Sequence, residues 1–267
     1  MRVLFLVPFL LAAKRAPPPP LPPQLQPSVA AATVVDLTHP LSSTVPYFPG
    51  GVPFAAETLA TVEADGYYFN KFTTGEHTGT HVDAPNHFVA GAEGVDAILP
   101  RALIGPLVVI DISARVAEDP DTQLVLSDIA AWEAEHGIIP PGAIAMIRTG
   151  WDDHWPDTTK YQNKDEAGTM HFPGVGLDAS QSLASRNVAC IGIDTLSTDS
   201  GTSKLFHQHK HFLRTGRYHI ENVTNLDKVP AAGAIGIVAP LPLVRGSGAP
   251  ARVLALVPEM PGEPESE

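Results

Sequence analysis

His77-Thr78-Gly79-Thr80-His81-Val82-Asp83-Ala84-Pro85-Asn86-His87 places three imidazoles and one carboxylate within eleven residues. Histidine and aspartate are usual ligands of zinc, manganese and iron in proteins, so this stretch predicts a metal site. A single buried histidine is usually a hydrogen-bonded core residue, but four ligand-type residues at regular spacing are much harder to explain in that way. The predicted metal ligands are His77, His81 and Asp83.

The spacing of this stretch favours an extended chain. Positions 77, 81, 83 and 87 are all odd, and alternate residues of a strand project to the same face. A helix would also bring His77 and His81 together, but Gly79, the β-branched residues around it and Pro85 disfavour a helix interior. We therefore expect the first three on one edge of a strand and His87 just beyond the proline bend.

The chemistry of such a site is hydrolytic. A divalent metal with an open position lowers the pKa of a bound water from about 15.7 to roughly 7 and polarises a carbonyl oxygen. His87 lies just past the predicted ligands, so it is the best placed residue to carry a proton from water to a leaving group. A metal-binding pseudoenzyme is the alternative from another class, and a lost ligand would favour it.

A second group of histidines occurs in Phe206-His207-Gln208-His209-Lys210-His211. Three histidines on alternate residues would share one face of an extended segment. This pattern alone is also compatible with a surface histidine tract that has adventitious metal affinity.

Around these motifs, apolar runs predict strands that alternate with two helices. The runs over residues 107–112 and 143–148 are continuous, as expected for strands covered on both faces. Ser127 is a natural N-cap for the first helix, which Gly137 ends, and a second helix is expected over 178–186. Further strands are expected over residues 34–37, 67–72, 188–194, 234–239 and 253–257. The pattern predicts a mixed α/β fold in one domain rather than a doubly wound sheet.

The composition excludes several classes of function. The chain has 267 residues, and its 17 basic and 29 acidic residues give a formal net charge of −12. This charge argues against nucleic acid or an anionic membrane surface as a partner. Cys190 is the only cysteine, so an internal disulfide is impossible, and its apolar neighbours predict a buried, unreactive thiol.

Both ends of the chain differ from the predicted domain, which spans residues 34–258. Residues 3–13 form an apolar run with the length of a signal-peptide core, too short to span a bilayer, and a proline-rich linker follows up to residue 33. We expect either a secreted protein or a cytoplasmic enzyme with a disordered extension, and no stable membrane insertion. Residues 259–267 are expected to form a flexible acidic tail.

At several separated points, the sequence resembles the putative cyclase family, which includes bacterial kynurenine formamidases and isatin hydrolases. The resemblance includes the motif over residues 77–87, runs from about Val34 to Pro258 and preserves the order of the motifs. The other matching segments are Asp36-Leu37-Thr38, Pro46-Tyr47-Phe48-Pro49-Gly50, Gly192-Ile193-Asp194-Thr195-Leu196-Ser197-Thr198-Asp199, Glu221-Asn222-Val223-Thr224-Asn225-Leu226 and Gly246-Ser247-Gly248-Ala249-Pro250-Ala251-Arg252.

The resemblance implies a swivelling β/β/α architecture and a metal-dependent amidohydrolase that cleaves the C–N bond of a small aromatic amide. N-formylkynurenine and isatin are the two precedents, and a metal-dependent cyclase or dehydratase is the alternative activity. The resemblance also selects His209 and Glu221, which either complete a second metal site or hold the water and the amide. The metal it implies is manganese or zinc.

Two further expectations concern the substrate pocket and the assembly. Tyr47, Phe48 and the aromatic residues between Tyr67 and Phe72 are candidates for a pocket wall, although at least half of them should lie in the core. The resemblance implies a homodimer, and the need to cover an exposed sheet edge favours one too. The segment Tyr67–Phe69 is the candidate for a wall shared between subunits. The alternative is a monomer in which these rings pack internally.

Overall fold

The described part of the chain, residues 32–258 of the computed structural model, contains twelve strands and six α-helices. The strands are β1 (Ala32–Asp36), β2 (Ala55–Ala60), β3 (Phe69–Thr73), β4 (His81–Asp83), β5 (Ile104–Asp111), β6 (Gln123–Leu124), β7 (Ile144–Arg148), β8 (Gly174–Val175), β9 (Cys190–Ile193), β10 (Tyr218–Glu221), β11 (Ala234–Pro240) and β12 (Gly248–Pro258). The helices are α1 (Val62–Asp65), α2 (Ser113–Val116), α3 (Leu126–His136), α4 (Thr158–Gln162), α5 (Leu177–Ser185) and α6 (His207–Leu213).

Seven strands of the main sheet close into a ring, in the order β12-β11-β5-β7-β9-β10-β4 and back to β12. The neighbours β5, β7, β9 and β10 are parallel, and the pairings made by β4, β11 and β12 are antiparallel. The long strand β12 also shares one edge between two partners, because residues 248–250 pair with β4 and residues 254–258 pair with β1. The predicted mixed α/β fold is confirmed.

Alternation along the buried strands divides the core into two clusters. Leu107 and Val109 of β5 join residues from the other ring strands in the ring interior, whereas Val108 and Ile110 face outward beneath the helices. Trp132 of α3 packs in the outer cluster, and its indole Nε1 donates to the carbonyl of Val109 over 3.0 Å. The continuous apolar run of β5 is therefore explained by cover on both of its faces.

Most predicted elements occur close to their expected bounds, but the predicted N-cap of α3 is wrong. Helix α3 begins at Leu126, because the side chain of Asp128 accepts a hydrogen bond of 2.9 Å from the backbone N–H of Val125 and stabilises an earlier start. The last strand is longer than expected and begins at Gly248. Cys190 is buried in β9, where burial raises the pKa of its thiol to about 12, in agreement with an unreactive role.

Strands β2 and β3 pair with each other outside the main sheet and form a two-stranded arm. The aromatic side chains in and just before β3 are mostly in solvent: Tyr67 is 58% exposed, Tyr68 62%, Phe69 52% and Phe72 57%. The prediction that at least half of the aromatic set lies in the core is therefore wrong, because both faces of the arm are exposed.

The predicted signal-like run, almost all of the proline-rich linker and the acidic tail lie outside the described residues. Strand β1 begins at Ala32, two residues before the predicted domain boundary. Between residues 32 and 258, no helix combines the length and the apolar character that crossing a membrane requires.

Candidate metal centre and active site

His81 and Asp83 project from the same side of β4, away from the ring interior. Val82 between them is fully buried in the inner cluster, so strand alternation turns both neighbours outward. Strand β10 lies beside β4 in antiparallel register, which places Glu221 opposite His81. The Nε2 atom of His81 lies 3.5 Å from Glu221 Oε2 and 3.1 Å from Asp83 Oδ1.

His77 and His87 reach the same place from outside the strand. Gly79 adopts a φ of +70°, so the chain turns before β4, and the expected continuous strand edge is wrong for His77. The Nδ1 atom of His77 still lies 2.6 Å from Asp83 Oδ1. His87 ends the short 3-10 turn that Pro85 begins, and its ring stacks on that of His77 with centroids 3.9 Å apart. All four ligand-type residues of the motif therefore converge.

The second histidine group is helical, so its three histidines do not share the single face that an extended segment would give them. Helix α6 begins at His207, which is exposed, and it buries His209 and Phe212. A helix has about 3.6 residues per turn, so alternate residues do not share a face. His209 is the histidine of this group that reaches the site: its Nε2 lies 3.1 Å from Asp83 Oδ2 and 3.1 Å from Glu221 Oε1.

Asp199 holds the other nitrogen of His209, and the sequence analysis assigned it no role. Its Oδ2 lies 2.7 Å from His209 Nδ1 and accepts from the backbone N–H of the same residue over 3.0 Å. Burial raises the pKa of Asp199, but the hydrogen bond and charge of His209 outweigh it and bring the pKa below its ordinary value. A carboxylate–histidine pair of this kind leaves Nε2 free to bind a metal.

The donor set fits a divalent metal. Asp83 and Glu221 are buried carboxylates that both approach His209, and buried negative charge requires a compensating cation. The Nε2 atom of His81 is buried and has no hydrogen-bond partner among the described residues. Nitrogen and oxygen donors in this combination suit zinc or manganese.

Two overlapping groups of donors share Asp83. The groups, whose donor atoms lie within 4.8 Å of one another, are Asp83 with His209, His219 and Glu221, and Asp83 with His77 and His87. Burial raises the pKa of Asp83, but the three histidines around its carboxylate hold that pKa well below its ordinary value. The carboxylate is therefore ionised, as a metal ligand requires.

His219 is a further buried histidine that the sequence analysis missed. It lies two residues before Glu221 on β10 and so faces the same side of the strand, and that alternation was the available signal. The side-chain amide of Gln208 donates to its Nε2 over 3.2 Å. Burial holds the pKa of His219 well below its ordinary value, so the ring is neutral.

A cavity of about 240 Å³ leads to these donors. Three phenylalanines and a leucine build its apolar side, and the ring centroids of Phe88 and Phe206 lie 5.5 Å apart. Phe48 also lines the cavity, as predicted for the aromatic wall, and its ring lies 6.0 Å from that of Phe206. The aromatic residues of the arm do not line this cavity. The prediction that they form its wall is therefore wrong for a single protomer.

The chain is similar to one protein family and to several characterised hydrolases. Residues 35–200 match a family model described as Putative cyclase. An isatin hydrolase from Roseibium aggregatum is 38% identical over 243 residues, which cover 85% of this chain and 92% of that protein. A kynurenine formamidase from Bacillus cereus is 27% identical over 224 residues, which cover 82% of this chain and 95% of that protein.

The fold agrees with these relatives. The solved structure of isatin hydrolase A from Ralstonia solanacearum matches with a TM-score of 0.83 at 38% identity, covering 90% of this chain and 98% of that one. The family model includes the whole of the motif over residues 77–87 and extends past Asp199, the partner of His209. From the match of more than half of its length and from its relatives, this chain belongs to the putative cyclase family.

Proposed function

We propose that this protein hydrolyses the C–N bond of a small aromatic amide, and that an isatin-like cyclic amide is its preferred substrate class. The protein is a metal-dependent amide hydrolase. The observation that carries the proposal is the cavity itself, where phenylalanine rings stand beside the buried donors. An aromatic ring fits such an apolar wall, and its attached amide then reaches the donors. The identity of 38% with an isatin hydrolase, against 27% with a formamidase, supports the cyclic amide.

In this proposal, His77, His81 and Asp83 hold a divalent zinc or manganese ion, and His209 and Glu221 complete the donor set. Bound there, the metal supplies an activated water and polarises the amide carbonyl. The Nδ1 atoms of His81 and His209 are held by backbone and carboxylate oxygens, at 2.9 and 2.7 Å. Each ring therefore directs its Nε2 atom toward the buried carboxylates, where a metal would bind.

His87 moves the proton in this proposal. Its ring lines the cavity beside His77, and its centroid lies 6.1 Å from that of His209. Burial lowers the pKa of His87 to about 4, so the imidazole is neutral near pH 7 and can accept a proton from water. The amide nitrogen must be protonated to leave as an amine, and His87 returns the proton to it.

The test is an assay of the purified protein, loaded with zinc or manganese, against isatin, N-formylkynurenine and a hydroxy-ketone. We expect a higher kcat/KM for the ring-opening of isatin than for the hydrolysis of N-formylkynurenine. The opposite order would overturn the preference for a cyclic amide. Dehydration of the hydroxy-ketone without amide hydrolysis would favour a cyclase or dehydratase, and metal binding without any turnover would favour a pseudoenzyme.

We also propose that the active form is a homodimer with the two-stranded arm at its interface. The exposed rings of Tyr67, Tyr68, Phe69 and Phe72 are apolar groups of the arm that a monomer leaves in water. Pairing across a two-fold axis is the commonest way to cover such a surface. Strand β3 ends at Thr73, shortly before the metal-binding motif, so this interface would adjoin the active site.

Light scattering at assay concentration tests the dimer. We expect wild-type protein to be dimeric, and a Tyr68→Ser/Phe72→Ser variant to dissociate and lose activity. Ile138→Ser is the matched control, because Ile138 is also exposed but lies beyond the end of α3. A fully active monomer would contradict both the dimer and the shared wall.

A further inference from the structure

Glu76 and Ser247 lie behind His77, at the ring nitrogen that does not face Asp83. The Nε2 atom of His77 lies 2.9 Å from the hydroxyl oxygen of Ser247. The carboxylate of Glu76 accepts from that hydroxyl and also from the backbone N–H of Ser247, the latter over 3.0 Å. A chain of contacts therefore runs from Glu76 through Ser247 to His77.

The direction of these hydrogen bonds is decided by counting protons. A carboxylate can only accept, and a serine hydroxyl has a single hydrogen to donate. The hydroxyl hydrogen of Ser247 is used on Glu76, so its oxygen must accept from His77. The Nε2 atom of His77 therefore carries a hydrogen, and in a neutral imidazole the lone pair is then on Nδ1.

We propose that Glu76 is a positioning residue which, through Ser247, selects the tautomer of His77 with hydrogen on Nε2 and so directs the Nδ1 lone pair into the metal site. The inference rests on the metal-binding role proposed for His77. In this tautomer, Nδ1 and Asp83 Oδ1 face each other as two acceptors 2.6 Å apart, an arrangement that a shared cation stabilises.

His81 and His209, the other two histidines of the proposed donor set, have the opposite tautomer from His77. The Nδ1 atom of His81 lies 2.9 Å from the Gly79 carbonyl, and that of His209 lies beside Asp199, so both rings carry hydrogen on Nδ1. Their free nitrogen is Nε2. In His77 the roles of the two nitrogens are exchanged: Ser247 contacts Nε2, and Nδ1 faces the metal site.

The turn that carries Ser247 is shaped to hold the ring in this orientation. A Cβ atom added to Gly248 would lie 2.5 Å from Cε1 of His77 and 2.9 Å from its Nδ1. The backbone at Gly248 therefore packs directly against the edge of the imidazole. Strand β12, which begins at this glycine, pairs with β4 and fixes the distance between the turn and the motif.

The experiment combines a zinc affinity with a spectroscopic signature. Zinc affinity is measured by chelator competition on Glu76→Ala, Ser247→Ala and Ser247→Thr, with Glu118→Gln as a control on an exposed carboxylate. Two-bond proton–nitrogen spectra of the zinc-loaded protein, with nitrogen-15-labelled histidine, report which nitrogen of His77 carries hydrogen. Its signals are assigned by their loss in His77→Asn.

We expect hydrogen on Nε2 of His77 in the wild type, and zinc affinity about 10–100-fold weaker in both alanine variants, the usual effect of losing an outer partner of a ligand. Ser247→Thr keeps the hydroxyl and should restore most of the affinity, and Glu118→Gln should change nothing. A hydrogen on Nδ1 of His77, or unchanged affinity in a folded Glu76→Ala variant, would overturn the inference. Zinc binding with the expected tautomer but without amide hydrolysis would overturn only the proposed substrate.

Discussion

Asp83 contacts three histidines, whose nitrogen atoms lie 2.6–3.1 Å from its carboxylate oxygens. It belongs to both groups of donors, so its loss removes a donor from each group. We expect Asp83→Ala to lose bound metal and activity together, as measured by elemental analysis and by amide hydrolysis. Asp121→Ala is the control, because Asp121 also contacts a histidine, His171, but is half-buried and lies outside both groups of donors. Full metal occupancy in Asp83→Ala would disprove its assignment as a ligand.

His87 is expected to behave differently from the ligands. In its proposed role, His87 transfers a proton and does not hold the metal. His87→Ala should then keep its metal while kcat falls by about 10²–10⁴-fold, the usual contribution of a positioned acid or base. Added imidazole should restore part of the rate, because the truncated side chain leaves room beside His77. If metal and activity are lost in step, His87 is a ligand.

The burial of His39 makes the free energy of unfolding depend on pH. It is buried against Trp155, with ring centroids 4.0 Å apart, and burial lowers its pKa to about 4. Between pH 6.5 and 4 the unfolded chain binds a proton at this residue and the folded protein does not, so stability falls as the pH falls through this range. His39→Phe keeps a stacked ring without the charge, and we expect its urea-unfolding free energy to fall less between pH 7 and 5. Equal losses in both proteins would contradict this.

Helix α6 shows which elements a sequence pattern can predict and which it cannot. The sequence predicts strands β5 and β7, because burial on both faces of a strand leaves a continuous apolar run. In α6 the buried face includes the polar residues Gln208 and His209, so no apolar periodicity marks it as a helix. Their acceptor, Asp199, lies on a preceding segment and is not visible in the local pattern. Such contacts between distant segments require coordinates.

Substitution of Asp199 tests whether its contact with α6 supports metal binding by His209. Asp199→Asn keeps the size of the side chain but loses the charge that holds Nδ1 of His209. We expect zinc affinity to fall about 10–100-fold, as is usual when the outer partner of a ligand is lost. Chelator competition measures the affinity, with Asp227→Asn as the control on an exposed carboxylate. Unchanged affinity would show that His209 needs no such partner.

On the scale of the whole molecule, the mixed α/β fold follows from the order of the elements, but ring closure does not. The motif over residues 77–87 and the later segment with His209 and Glu221 were recognised as separate parts of one site. Their meeting depends on β10 lying beside β4, and closure depends on residues 248–250 pairing on the other edge of β4. Both pairings join distant segments of chain, and local propensity does not specify them.

Deletion of the N-terminal segment tests whether the domain is active without it. The first described strand begins at Ala32. The sequence before it is rich in proline, and such a composition is expected to bury little apolar surface. From this composition, we expect deletion of residues 1–27 to leave kcat/KM within about twofold of the full chain. A truncated protein that folds but has lost its activity would show that this segment contributes to the site.

The pairing of β12 with β4 also determines when the enzyme can first work. Ribosomes add about 5–20 residues per second, so roughly ten to thirty seconds separate the synthesis of β4 from that of its partner Gly248. For most of that interval both edges of β4 are open, because β10 is made only shortly before β12, and Ser247 is not yet beside His77. The proposed site is therefore complete only after nearly the whole polypeptide has been made, and we expect turnover only from that point.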